Sequence, residues 1–254
     1  MKDIKILILC HKKIVNLPTD SIYCPVEVGA DLRDEHFFNI RDNTGDNISR
    51  KNGSFCELTG LYWAYKNLNY DILGLTHYRR FFMKNSFCIR KKITNVITGE
   101  KINTLLEKYD IILPKKRHYY IETNYTHYVH AHDEKALQKT YDIIKAFYPD
   151  YVHSFEEHMG KRSGHYFNMF IAKKEIINPL LKWMFDILFK LEKEIDLSEY
   201  QGSEKRVFGY VSELLFDVYC LKNKLKIKNQ KYLFFEKQNW FKKIYRFIQR
   251  KFKQ

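Results

Sequence analysis

The run His77-Tyr78-Arg79-Arg80 is the segment best equipped for chemistry. It follows Tyr70-Asp71-Ile72-Leu73-Gly74-Leu75-Thr76, an apolar stretch that reads as a buried strand. In open α/β sheets, ligands gather at the carboxyl ends of strands. Two adjacent arginines there can neutralise phosphate oxygens, and a guanidinium can do so bidentately. The plainer structural alternative is one arginine paired with an internal carboxylate and the other solvated. Cys10-His11-Lys12-Lys13 closes the first strand-like run, Ile4 to Leu9, and raises the same argument more weakly. Glu213 stands alone among the apolar residues of Arg206-Val207-Phe208-Gly209-Tyr210-Val211-Ser212-Glu213-Leu214. A carboxylate buried alone is costly, so Glu213 should partner an arginine such as Arg79 or Arg80, or act as a general base.

Two further groups invite a chemical reading. Thr44-Gly45-Asp46-Asn47-Ile48-Ser49 is rich in side-chain hydrogen-bonding groups and precedes a helix start. It suits a polar ligand or anion, or equally a structural Asx-turn. His127-Tyr128-Val129-His130-Ala131-His132-Asp133 carries three histidines and an aspartate. Imidazole and carboxylate are metal ligands, yet no complementary cluster lies nearby in sequence. On a strand, His130 and His132 would share a face and His127 would not. Asp133, just before Glu134-Lys135-Ala136-Leu137, also has the form of a helix N-cap.

The elements that must position these residues follow from periodicity. Ser54-x-x-Glu57 has the form of a capping box, and Leu58, Leu61, Tyr62, Tyr65 and Leu68 follow at helical spacing. A helix between two buried strands is the mark of an α/β unit with parallel strands. Residues 83–103 read as a hairpin or insertion, 109–114 as a third strand and 165–172 as another. Amphipathic helices are expected over 134–147 and 179–195, and another helix over 206–221.

Composition narrows the class. The 254 residues are 45% apolar and 16% aromatic, which excludes a disordered or fibrous chain. No apolar run is long enough to span a bilayer, and the N-terminus has no signal-peptide pattern. Five scattered cysteines without a CxxC argue for a reducing compartment. A cytoplasmic protein is therefore expected. The formal net charge is +14, but residues 222–254 carry +11 of it, leaving +3 for residues 1–221. On a helix, Trp240, Phe241, Ile244, Tyr245, Phe247, Ile248 and Phe252 fall within an arc of roughly 160°, opposite the basic residues. That is the pattern of an in-plane membrane helix, with self-docking and nucleic-acid binding as competing readings.

Taken together, Cys10-His11-Lys12-Lys13, Gly45-Asp46-Asn47-Ile48-Ser49, Cys56-Glu57-Leu58-Thr59, His77-Tyr78-Arg79-Arg80-Phe81-Phe82, Phe167-Asn168-Met169-Phe170 and Arg206-Val207-Phe208-Gly209-Tyr210 carry a resemblance. The set resembles a bacterial family of capsular and exopolysaccharide glycosyltransferases, long filed as a domain of unknown function, some members of which look like galactofuranosyltransferases. The resemblance spans about residues 3–225. It implies a GT-A-like, Rossmann-type nucleotide-sugar domain with a mostly parallel sheet. It also implies transfer from a nucleoside-diphosphate sugar to a growing glycan.

Typical GT-A enzymes hold a divalent metal on an Asp-x-Asp at the end of a central strand. Thr76-His77-Tyr78-Arg79 stands there instead. The metal is left open: Arg79 or Arg80 would supply the positive charge at the diphosphate, and His77 keeps the ability to ligate.

The expectation is therefore a glycosyltransferase domain over 1–221 and a basic membrane-surface tail over 222–254, peripheral on the inner face of the plasma membrane. The donor is expected to be a uridine diphosphate sugar such as UDP-galactofuranose. Cys10, His11, Asp46 and Asn47 would frame the nucleotide, with His77, Tyr78, Arg79 and Arg80 at the diphosphate. Glu213 is the first candidate base of an inverting displacement, Asp133 the second. His132 and Asn168 would touch a glycan or lipid-linked acceptor. Nucleic-acid binding through the tail, and a metal hydrolase on the 127–133 histidines, are the competing functions.

Overall fold

A computed structural model describes residues 2–14, 16–85 and 92–235. The first half of the chain forms β1 (Ile4–Cys10), β2 (Tyr23–Glu27), α1 (Asn52–Phe55), α2 (Leu58–Asn67), β3 (Ile72–His77), β4 (Arg80–Phe82), α3 (Gly99–Leu106), β5 (Ile111–Pro114) and β6 (Arg117–His118). The second half forms α4 (Asn124–Ala131), α5 (Glu134–Phe147), α6 (Val152–Gly160), β7 (Ser163–Gly164), β8 (Phe170–Lys173), α7 (Lys174–Glu194), α8 (Val207–Lys222), β9 (Ile227–Gln230) and β10 (Tyr232–Phe234).

β1 runs between β2 and β3, parallel to both. β8 is antiparallel to β3 and β5, and β9 is parallel to β5. The main sheet is thus ordered β2-β1-β3-β8-β5-β9, mostly parallel, with β8 reversed. β4 folds back from the tip of β3 through a His77–Arg80 pair and takes β10 as an antiparallel neighbour. β9 and β10 fall in the stretch that the sequence assigned to the tail. The folded unit therefore runs at least to Phe234. The amphipathic segment 239–253 lies outside the described residues.

Alternation along the strands sends side chains to two cores. Leu7, Leu9, Leu73, Leu75 and Phe170 face the layer of α1, α2, α7 and α8, while Ile6, Ile8, Ile72, Ile112 and Ile171 face α3 and the β4 hairpin. Nearly continuous burial explains why β1 and β3 read as mostly apolar runs, broken in β1 only by the half-buried Lys5.

Three local readings are decided by the structure. Ser54 and Glu57 do not form a capping box. Ser54 lies inside α1, and the helix breaks at Cys56, whose backbone turns to φ 53° and ψ −129°. Glu57 is the N-cap of α2 without a side-chain cap bond, and its carboxylate accepts from Asn168 Nδ2 at 2.9 Å instead. Within 83–103, read as a hairpin or insertion, Met83 pairs antiparallel with Val96, the Lys84 N–H donating to the Asn95 carbonyl at 2.7 Å and the Ile97 N–H to the Phe82 carbonyl at 2.9 Å, and a helix, α3, follows from Gly99. Residues 124–131 are helical, not extended, because Thr123 and Thr126 make a reciprocal capping box. His127 and His130 then share a face, and both bond Glu122 at 2.9 Å.

β3 carries its glycine where three strands meet. A Cβ on Gly74 would sit 2.5 Å from Ile6 Cδ1, 3.0 Å from Ile171 Cγ1 and 3.2 Å from the Phe170 carbonyl oxygen. Overpacking of this kind costs about 1–3 kcal/mol. Gly74→Ala is expected to lower the unfolding free energy by that amount in urea titration, seen as a lower midpoint at unchanged slope.

Candidate functional site

The carboxyl ends of β1 and β3, the α1–α2 break and the first half of α8 enclose a cleft of about 450 Å³. His11, Glu57, His77, Tyr78, Arg79, Arg80, Arg206, Tyr210 and Glu213 line it. The cleft therefore gathers three guanidinium groups, two carboxylates and two imidazoles from segments distant in sequence.

Each is held by local structure. β3 ends at His77, Tyr78 and Arg79 make the turn, and Arg80 opens β4. The Arg80 guanidinium lies 4.3 Å from the Phe167 ring centre and 5.1 Å from that of Phe234. Burial, then the neighbouring Arg79 charge, lowers its pKa. Tyr78 meets the His11 ring edge-on at 5.0 Å, and Lys12 Nζ lies 5.0 Å from the Tyr78 ring centre. His11 is pushed below the usual histidine range by burial and then by Lys12, Arg33, Arg79 and Arg206. A neutral imidazole ringed by cations marks a positive field suited to an anion. Arg206 Nε donates to Cys56 Sγ at 3.1 Å, and burial pushes the Cys56 thiol up to about 11.

The carboxylates occupy the same cleft. Glu213 accepts from the Phe167 backbone N–H at 3.0 Å. Burial first, and the Glu57 charge second, push it up to about 8, against the pull of the Phe167 N–H, Arg117 and Arg80. His77 Nε2 donates to the Phe167 carbonyl at 2.5 Å, so that nitrogen carries the proton. Its pKa is lowered, chiefly by burial. Phe167 and Asn168 both have positive φ, 82° and 51°.

The structure divides the sequence-derived candidates. His11, His77, Tyr78, Arg79, Arg80 and Glu213 line the cleft together. Cys10 is fully buried beneath it, its thiol donating to the Ile8 carbonyl at 3.3 Å. Asp46 and Asn47 are not among its lining. Asp46 accepts from Tyr62 Oη at 3.0 Å, and Asn47 bonds within its own loop. Asp133 is exposed and accepts from the Lys135 N–H as the N-cap of α5, a position that keeps it out of the lining. His132 stacks on Tyr210 at 3.8 Å and bonds Glu204 at 3.2 Å, behind the cleft wall. Asn168 is buried, donating to Glu57 at 2.9 Å and the Gly209 carbonyl at 3.2 Å while accepting from Ser212 at 2.9 Å. It holds the wall.

Sequence reasoning missed Glu57 and Arg206 as cleft groups. Glu57 was hidden by its capping-box form. Arg206 has no local signal that places it here, since it is held by Cys56, 150 residues away in sequence. Behind the wall, fully buried Asp42 accepts from the Gly29 and Ala30 N–H groups and from the Ser49 and Thr59 hydroxyls, tying the 39–53 loop to α2.

The residues present do not build the acidic metal site of an Asp-x-Asp enzyme: His77 takes the place of that motif at the strand end. Among the described residues no group of three His, Cys, Asp or Glu side chains can hold a metal ion, the 127–133 histidines included.

Over residues 5–224 the sequence matches the model of a family described as a domain of unknown function, DUF4422. Among solved structures the chain is similar to the WbbM bifunctional glycosyltransferase, solved in its apo form. The TM-score is 0.83 and the identity 31%, over 92% of this chain and 46% of that one. The chain thus spans less than half the length of that protein, and the shared part has a glycosyltransferase fold. No curated protein matches it.

The raised pKa of Glu213 has a measurable sign. Its ordinary value is 4.5, and the folded value is about 8. Between the two, the folded chain keeps a proton that the unfolded chain has released, so stability falls as pH rises through that window. Glu213→Gln removes the buried charge. Its melting temperature should exceed that of the native chain by at least about 3 °C above pH 8, the gain vanishing below about pH 4.5. Calorimetry across that range checks both the size and the direction.

Proposed function

The chain belongs to the DUF4422 family, and from that premise we propose that its cleft transfers a glycosyl group from a nucleoside-diphosphate sugar to a growing surface glycan. One observation carries the proposal: three arginines and two carboxylates converge at the strand ends of an α/β sheet. The likeness to a bifunctional glycosyltransferase supports the same reading.

The arginines suit a leaving diphosphate. Arg79 and Arg80 face it from the β3–β4 turn, and Arg206 faces it from the start of α8. Fixed cations aimed at developing negative charge stabilise a transition state without reorganising. They take the part that a metal plays in GT-A enzymes with an Asp-x-Asp. Glu213 is the base. It removes the proton of the acceptor hydroxyl as that oxygen bonds to the anomeric carbon. The bond from that carbon to the diphosphate breaks, and its electron pair leaves on the phosphate oxygen. A single displacement of this kind inverts the anomeric centre. A carboxylate raised to about 8 is a stronger base than an ordinary one, and its ionised form, which takes the proton, becomes the major form only above about pH 8. Glu57, bonded to Asn168, keeps Glu213 basic through its charge.

The donor is read as a uridine diphosphate sugar, with galactofuranose a candidate sugar. The acceptor is read as a capsular or exopolysaccharide chain, lipid-linked and met at the inner membrane surface. The nucleic-acid alternative rested on the amphipathic tail, which lies outside the described residues.

A thermal-shift screen of nucleotide sugars, with and without Mn²⁺, tests the donor. Uridine diphosphate sugars should raise the melting temperature by several degrees without metal, and no shift with any nucleotide sugar would count against glycosyl transfer. Glu213→Gln should lower transfer about 10²- to 10⁴-fold while UDP still binds, whereas Arg79→Ala should weaken UDP binding.

A further inference from the structure

The two-stranded ribbon β6–β7 stands apart from the main sheet. Arg117 pairs with Gly164 and His118 with Ser163. Beyond it the chain turns through Tyr120, which has φ 60° and leaves 80% of its surface exposed. Ile121 is 59% exposed and Tyr125 41%. A strained turn that pushes an aromatic and a branched aliphatic side chain into water buries nothing of its own fold. Arg162 Nη1 donates to the Tyr120 carbonyl at 3.1 Å, and the Tyr119 N–H donates to the Arg162 carbonyl at 2.9 Å, so the tip is tied to a cationic neighbour.

The flanks are basic. Arg117 and Arg162 are exposed on the ribbon. Beside it, Lys116, Lys161 and Lys224 line a pocket of about 260 Å³, with Ser163 and His158 between them. Acids lie nearby as well: Glu157 pairs with Lys161, Glu134 accepts from the Tyr125 hydroxyl, Glu122 holds His127 and His130, and Asp217, in the pocket wall, holds His165, so the cationic face rests on Lys116, Lys224, Arg117 and Arg162. Apolar side chains at a tip with cations behind them complement a surface that is apolar within and anionic at its face. The ribbon also reaches the cleft, since the Arg117 guanidinium lies 5.9 Å from the ring centre of Phe167, a lining residue.

We propose that the β6–β7 ribbon and its Tyr120–Ile121 tip form an interfacial anchor that seats the folded domain on an anionic lipid surface. Tyr120 and Ile121 enter the headgroup–acyl boundary, and the lysine pocket takes a lipid phosphate. This anchor is separate from the segment beyond residue 235.

Hydrogen exchange of the full chain with phosphatidylglycerol–phosphatidylcholine vesicles tests it, because that readout is resolved by segment. Protection should appear over 116–125 and 161–164, weaken with added salt and be absent with phosphatidylcholine alone. The double variant Tyr120→Asn, Ile121→Ser should bind the anionic vesicles at least about fivefold more weakly at unchanged melting temperature, since asparagine accepts left-handed backbone. Its transfer to a soluble acceptor should be unchanged, which separates this proposal from the glycosyl-transfer reading. Protection confined to residues after 235, protection of the ribbon by inorganic phosphate or an oligonucleotide but not by vesicles, or undiminished binding of the variant would overturn it.

Discussion

Phe167 and Asn168 hold left-handed backbone in succession, and the site depends on that turn. For residues other than glycine such conformations cost on the order of 1–3 kcal/mol each and persist only where the surroundings over-determine them. Here they do. The Phe167 N–H holds Glu213, its carbonyl holds His77, and its ring carries the Arg80 guanidinium. The Asn168 side chain then binds Glu57 from α2 and the Gly209 carbonyl of α8, and accepts from Ser212. One turn thus joins the tip of β3, the start of α2 and the first half of α8. β8 begins two residues later, locked between β3 and β5, so the sheet itself anchors the turn.

The electrostatics follow from this packing. Glu57 and Glu213 are brought into one cleft, and a second carboxylate raises the first. The arginines opposite them keep both from being isolated charges. In the proposed reaction a bound diphosphate would engage the arginines and so weaken their hold on the carboxylates. Glu213 would then hold its proton more tightly, so its ionised form would require a higher pH with the donor bound. His11 fits the same field: its lowered pKa comes from burial and from cations, and an anion among them reverses the second cause.

Much of this was legible because it was local. Mostly apolar runs marked β1 and β3, whose buried faces leave little room for polar alternation, and the residues at their carboxyl ends were the ones to question. Glu213 betrayed itself as an acid in an apolar helix. What failed to show was long-range. Glu57 matched a capping box that its own neighbours permitted, yet Asn168, more than a hundred residues away, captured its carboxylate. The helix break that frees it sits at Cys56, whose positive φ has no signal in an ordinary cysteine. His127 and His130 looked like metal ligands until a helix placed both against Glu122. β9 and β10 were lost in a basic stretch because Lys226, Lys228 and Lys231 masked short strands whose pairing partners lie far upstream.

In the proposed reaction the arginines would stand in for the usual acidic pair and its metal. An Asp-x-Asp needs a metal to turn a negative strand end into an anion receptor. Arginine is already positive, but a flexible cation loses much of its benefit in being ordered. This cleft removes that freedom in advance. Arg80 is clamped between Phe167 and Phe234, and Arg206 is tethered through Nε to the Cys56 sulfur. Both clamps depend on unusual backbone, at Phe167 and at Cys56. In the proposed reaction the strain in these two places would be the counterpart of the missing acidic motif, since it fixes positive charge at the same strand end where an Asp-x-Asp would hold an ion.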